Sequence, residues 1–111
     1  MSKYYNVTMA MAQSGTLSAV TAIEGDCSVV GMDVPTIDTA TVYIQAATSE
    51  TGTFRRIQKT DGSGDWSLAS GTGNKMAKFE TPLRFPAIRV ESSAAQNGGA
   101  RTFTAIIRDD G

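Results

Sequence analysis

The stretch Thr39-Ala40-Thr41-Val42-Tyr43-Ile44-Gln45-Ala46-Ala47-Thr48-Ser49-Glu50-Thr51-Gly52-Thr53-Phe54-Arg55-Arg56-Ile57-Gln58 decides the fold class. Ala40, Val42, Ile44 and Ala46 fall on one side of an extended chain, with Thr41, Tyr43 and Gln45 on the other. That period of two marks a strand with one face buried and one wet. Thr48 to Gly52 supplies polar turn chemistry, and Thr53 to Gln58 returns with Phe54 and Ile57 as its large apolar side chains. The stretch reads as a β-hairpin. A hairpin alone is marginal in water, so its apolar face requires further strands.

Most of the chain can supply them. On the N-terminal side, Tyr5, Val7, Met9 and Met11 alternate with Asn6, Thr8 and Ala10, which predicts a strand or an arm that becomes one on pairing. Gln13-Ser14-Gly15 breaks it, and Thr16 to Ile23 predicts a second alternating strand of small residues. Cys27 to Met32 predicts a short strand, closed by Pro35, which lacks an N–H for a ladder. On the C-terminal side, Asp61 to Asp65 and Ser70 to Asn74 read as turn-rich loops around a brief Trp66-Ser67-Leu68 strand. Met76 to Phe79 reads as a short extended piece, and Pro82 and Pro86 confine the following residues to coil or a sheet edge. Ala87 to Ser92 is a strand with Ile88 and Val90 inward, and Arg101 to Arg108 is another, with Phe103, Ala105 and Ile107 on one side. Asn97-Gly98 between them is a favoured hairpin pair. No stretch carries a sustained helical period with caps. The expectation is an all-β chain, an antiparallel β-sandwich or small jelly roll of about seven or eight strands. Residues 1–13 would form the N-terminal arm or strand and residues 14–111 the sandwich.

Composition narrows the function classes. A chain of 111 residues with 41% hydrophobic and 19% charged residues is most simply one globular domain. The apolar runs are too short for a transmembrane span. The N-terminus lacks the apolar core of a signal peptide, so synthesis in a cytoplasm is expected. A net charge of −1 lacks the basic excess of a general nucleic-acid binder. Cys27, the single cysteine, cannot form an intramolecular disulfide and reads as a small buried hydrophobe.

No catalytic, metal or cofactor motif is present. Asp61-Gly62-Ser63-Gly64-Asp65 lacks the length and terminal Glu of a calcium loop and reads as a glycine turn. Gly71-Thr72-Gly73 leads into no Lys-Ser/Thr pair and opens no helix, so it does not cradle phosphate. With no histidine, no obvious base stands ready for a serine or cysteine nucleophile. The chain is therefore read as non-enzymatic, with interaction surfaces as its candidate sites. Tyr4 and Tyr5 near the terminus suggest a segment that docks, either on its own sheet or on a neighbouring subunit, together with Val7, Met9 and Met11. Arg55 and Arg56 can pair with acidic groups on a partner. Trp66 is an interface anchor or a cap on one end of the core.

The order of features from Ser14 to Arg108 resembles small β-sandwich proteins encoded among tailed-bacteriophage virion genes. The pieces are Ser14-Gly15-Thr16-Leu17-Ser18, then Val29-Val30-Gly31-Met32-Asp33-Val34-Pro35, then Thr41-Val42-Tyr43-Ile44-Gln45 running into Ser49-Glu50-Thr51-Gly52-Thr53-Phe54. Asp61-Gly62, Ile88-Arg89-Val90-Glu91-Ser92 and Arg101-Thr102-Phe103-Thr104-Ala105 complete the series. The pattern departs at Ala94 to Gly99, and Tyr4 to Ala12 lies outside it. The resemblance implies a structural virion component, a capsid decoration (cement) protein on the capsid exterior. Its partner would be the major capsid protein, and a homotrimer is the implied assembly. The alternatives are a carbohydrate-binding or adhesin-like module of a tail or head fibre, and a tail-completion or neck protein.

Overall fold

The computed structural model describes residues 3–111. Nine strands are present among the described residues: β1 (Lys3–Met11), β2 (Thr21–Ala22), β3 (Cys27–Thr36), β4 (Val42–Ala47), β5 (Arg55–Arg56), β6 (Ser67–Ala69), β7 (Gly73–Leu83), β8 (Ala87–Ser92) and β9 (Arg101–Asp109). They form two antiparallel sheets, one ordered β1-β9-β3-β7 and the other β2-β8-β4-β5 with β6 also on β4. No helix occurs among the described residues. The chain is an antiparallel β-sandwich, in which β1 to β4 and β6 to β9 change sheet at each connection. Only β4, β5 and β6 follow one another in the same sheet.

The deciding stretch is a hairpin. Gln45 lies opposite Arg56 and Ala46 opposite Arg55. β8 runs along the whole of the other edge of β4, from Val42–Ser92 to Ala47–Ala87. Val42, Ile44, Ile88 and Val90 are fully buried there and meet Val29, Met32, Phe103 and Ile107 from the other sheet. Burying such side chains contributes roughly 1.5–3 kcal/mol each, which is why alternation decides the face.

Four expectations are corrected or sharpened. The N-terminal segment takes the strand form: β1 pairs with β9 over its whole length, from Lys3–Asp109 to Met11–Arg101. Its Met9 and Met11 are fully buried, so this segment builds part of the core. The predicted strand Thr16 to Ile23 shrinks to the two residues of β2, because the segment straddles both sheets. Ala19 N–H bonds to Ala10 C=O of β1, whereas Ser18 N–H bonds to Val90 C=O of β8. β7 is longer than predicted, running from Gly73 through Pro82 to Leu83, and an edge strand tolerates that proline. Gly73 is needed at its start, since φ is +66° and a Cβ would lie 2.5 Å from the Pro35 carbonyl oxygen.

The Asn97-Gly98 hairpin is the fourth correction. β8 and β9 belong to different sheets, so the connection is a crossover. Neither Asn97 nor Gly98 takes the positive φ that the tight hairpin turn requires. What holds the crossover is Gln96, whose side chain is 0% exposed. Its Oε1 accepts from the Asp38 N–H at 2.8 Å, and its Nε2 donates to Ser92 Oγ at 3.0 Å and to the Ala94 carbonyl at 3.2 Å. Its backbone bonds to Ser14 and Gly15, so one residue joins three inter-sheet connections.

Candidate functional site

The outward face of the β4–β5–β8 sheet carries a continuous polar lattice. Tyr43 stands opposite Glu91, and Gln45 stands opposite Arg89 on one side and Arg56 on the other. Arg56 meets Glu91 in two parallel bonds, Nε to Oε1 at 2.8 Å and Nη2 to Oε2 at 2.7 Å, and reaches Asp65 Oδ2 with Nη1 at 3.0 Å. Such forked pairs are the strong form of the guanidinium–carboxylate contact. The same guanidinium lies 4.0 Å above the Tyr43 ring, within cation–π range. Arg89 repeats the device, 4.5 Å over Phe54, with its Nε donating to Gln45 Oε1 at 2.6 Å. Gln58 Nε2 donates to Asp65 Oδ1.

Electrostatics follow from this lattice. Arg56 holds the Glu91 carboxyl below its ordinary value, and Arg56 and then Gln58 do the same for Asp65. Glu91 and Asp65 in turn push Arg56 upward. A second knot lies at the Gln96 crossover, where the Gly98 N–H and then Arg101 lower Asp38. Charges paired this way are held in place on the sheet face and at the crossover. No cluster of metal-ligating side chains occurs among the described residues.

A groove of about 810 Å³ lies beside this face, between the β5–β6 loop and β7. Ile57, Trp66, Phe79, Leu83 and Phe85 supply its apolar wall, and Lys78 is among the charged residues that also line it. Trp66 packs edge-on against Phe79, with ring centroids 5.2 Å apart, and is half-buried. It closes one end of the core and lines the groove.

The sequence-derived candidates do not converge on one patch. Tyr4 and Tyr5 are 65% and 43% exposed, near the free end of β1. Tyr5 donates its hydroxyl to Cys27 Sγ at 3.5 Å, and that bond helps push the phenol up to about 12. Val7 is half-buried against the core, and Met9 and Met11 are buried in it, unavailable to a partner. Arg55 is exposed, whereas Arg56 is committed to Glu91, Asp65 and Tyr43. β1 lies at the β8 side of the sandwich and Trp66 at the β7 side, so the tyrosines and Trp66 are on opposite flanks. Cys27 is buried and free. Sequence reading missed Gln96, Glu91 and Phe85. Only the Pro82 and Pro86 flanking Phe85 signalled an irregular, accessible segment.

No family model matches the chain, and no curated protein matches it either. Solved structures do match, at the level of fold. The chain is similar to the SPBc2 prophage-derived protein YomS, with 14% identity, TM-score 0.54, and 98% of this chain and 96% of that one covered. It is also similar to a chain of the acid-stable capsid of Helicobacter pylori bacteriophage KHP30, with 11% identity, TM-score 0.52 and coverage of 98% and 93%. A third is chitosan-binding module 1 of a chitosanase/glucanase from Paenibacillus sp. IK-5, with 12% identity, TM-score 0.56 and coverage of 89% and 74%. At these identities the likeness is one of architecture, a β-sandwich of the kind found in capsid chains and carbohydrate-binding modules.

Proposed function

We propose that the chain is a non-enzymatic structural component of a tailed-phage virion, a capsid decoration protein that binds the assembled shell of major capsid protein from outside. The observation that carries this reading is architectural. Over 98% of its length the chain follows both a phage capsid chain and a prophage-derived protein. The order of sequence features that resembles phage virion sandwiches adds to it. The locked charge lattice agrees, since it makes a rigid surface without activating any side chain. A ligand that binds only the assembled shell shifts assembly toward it, by about 2.7 kcal/mol at a hundredfold excess over Kd. Weak individual contacts suffice where an oligomer engages several shell subunits at once.

The test is to add the purified chain to undecorated shells of its phage. Saturable co-sedimentation and a raised temperature of shell disruption support decoration; absence of binding to intact shells refutes it.

A second reading, a carbohydrate-binding or adhesin-like module, is favoured by the groove beside Trp66 and by the fold shared with a chitosan-binding module. Against it, Arg56 covers one face of Tyr43, which removes that face as a stacking platform. Titration with chitosan oligosaccharides separates the two readings: perturbed Trp66 fluorescence supports the module. The neck or tail-completion reading differs in copy number per virion.

A further inference from the structure

The outer edge of β1 is open, and the open part is symmetric about one residue. Ala19 donates its N–H to the Ala10 carbonyl at 2.8 Å, so Ala10 points its main-chain groups away from β9. Main-chain direction alternates along a strand. The N–H and C=O of Tyr4, Asn6 and Thr8 therefore lie on the same outer edge. Beyond Met9 that edge is closed by the Met11–Ser18 bridge. Lys3 to Met9 remains open among the described residues, and Asn6 is its midpoint.

Natural sheets protect such edges with charges, prolines, bulges or a covering segment. Lys3, at the end of the open stretch, is its one charge; Tyr4 to Met9 has neither charge nor proline, and the register with β9 runs without a bulge. β7, the opposite edge of the same sheet, carries Lys75, Lys78 and Pro82 and is protected.

We propose that β1 pairs antiparallel with β1 of a second copy, about a two-fold axis midway between the two Asn6 residues and perpendicular to the sheet. Such an axis reverses strand direction and preserves the two faces, so one sheet continues across the dimer. The hydrogen-bonded pairs are Asn6 with Asn6 and Tyr4 with Thr8 of the other copy. Between them Tyr5 stands opposite Val7, both incompletely covered in the single chain, an aromatic to β-branched pair of the kind that stabilises sheets. Like charges never meet, because Lys3 falls opposite Met9. An isologous contact requires this self-complementarity. The inference does not rest on the virion reading, because it concerns the chain alone.

Sedimentation velocity on the wild-type chain and on Asn6→Pro, Asn6→Lys and Asn6→Glu tests it. The Asn6 N–H points to the open edge, so proline there removes no bond to β9. The lysine and glutamate variants place like charges across the axis at an exposed position. Wild type is expected at twice the 11.7 kDa chain mass, and each variant at the monomer mass with an unchanged circular dichroism spectrum. An equimolar mixture of Asn6→Lys and Asn6→Glu is expected to restore the dimer, which a merely destabilised fold would not do. A wild-type monomer up to about 1 mM, the weak end of specific association, overturns the proposal. A trimer, or a dimer that persists in all three variants, overturns it equally.

Discussion

Gln96→Ala is expected to be among the most damaging polar substitutions in this chain. The side chain is fully buried and bonds through Oε1 to the Asp38 N–H and through Nε2 to Ser92 Oγ and the Ala94 carbonyl. Each such bond contributes roughly 1 kcal/mol net, so their joint loss removes about 3 kcal/mol. For a domain of this size that lowers Tm by roughly 12 °C. Urea unfolding monitored by Trp66 fluorescence measures it, as a shifted midpoint with an unchanged slope. Gln96→Glu sharpens the test, because the replacement carboxylate faces the Ala94 and Asp38 carbonyl oxygens where an amide donated. Its folded-state pKa would be raised above the unfolded value of about 4.3. The penalty relative to wild type is then full above the raised value and shrinks as pH falls through it toward the unfolded value. A loss below about 1 kcal/mol in Gln96→Ala, with no such pH dependence in Gln96→Glu, refutes the crossover argument.

Three further outcomes follow from the packing. Glu91 and Asp65 have depressed folded-state values, so the stability they add is present above the ordinary carboxylate range and is lost as pH falls through and below it. Urea midpoints between neutral and acidic pH are expected to show that loss, and Arg56→Met to flatten it. Ser28 Oγ is the one buried side-chain polar atom without a hydrogen-bond partner among the described residues; Ser28→Ala is expected to be neutral or stabilising by about 1 kcal/mol in the same assay. Cys27, buried beneath Tyr5, is expected to react with a thiol reagent only on denaturation, and Tyr5→Ala to accelerate that reaction.

Alternation was legible wherever one strand face packs and the other is wet. β4, β8 and β9 are found with the inward residues that their sequence predicts, and β1 likewise from Val7 to Met11. Local signals misled where tertiary placement dominates. Asn97-Gly98 carries the chemistry of a hairpin turn, yet the strands on either side of it join different sheets. Thr16 to Ile23 alternates well but serves two sheets at once, so it cannot follow either ladder. Nothing in local pattern separates Gln96, a buried amide, from a solvated loop residue. Arg56 illustrates the limit for sites: an arginine on a wet face reads as free, and only the β4–β8 pairing brings Glu91 to it.

The central claim, decoration of an assembled shell, is tested most directly by copy number. Densitometry of purified virions of the source phage compares this chain with the major capsid protein in one gel lane. Decoration requires a fixed, stoichiometric ratio to the shell subunit. A few copies per particle, or absence from intact virions, contradicts the account.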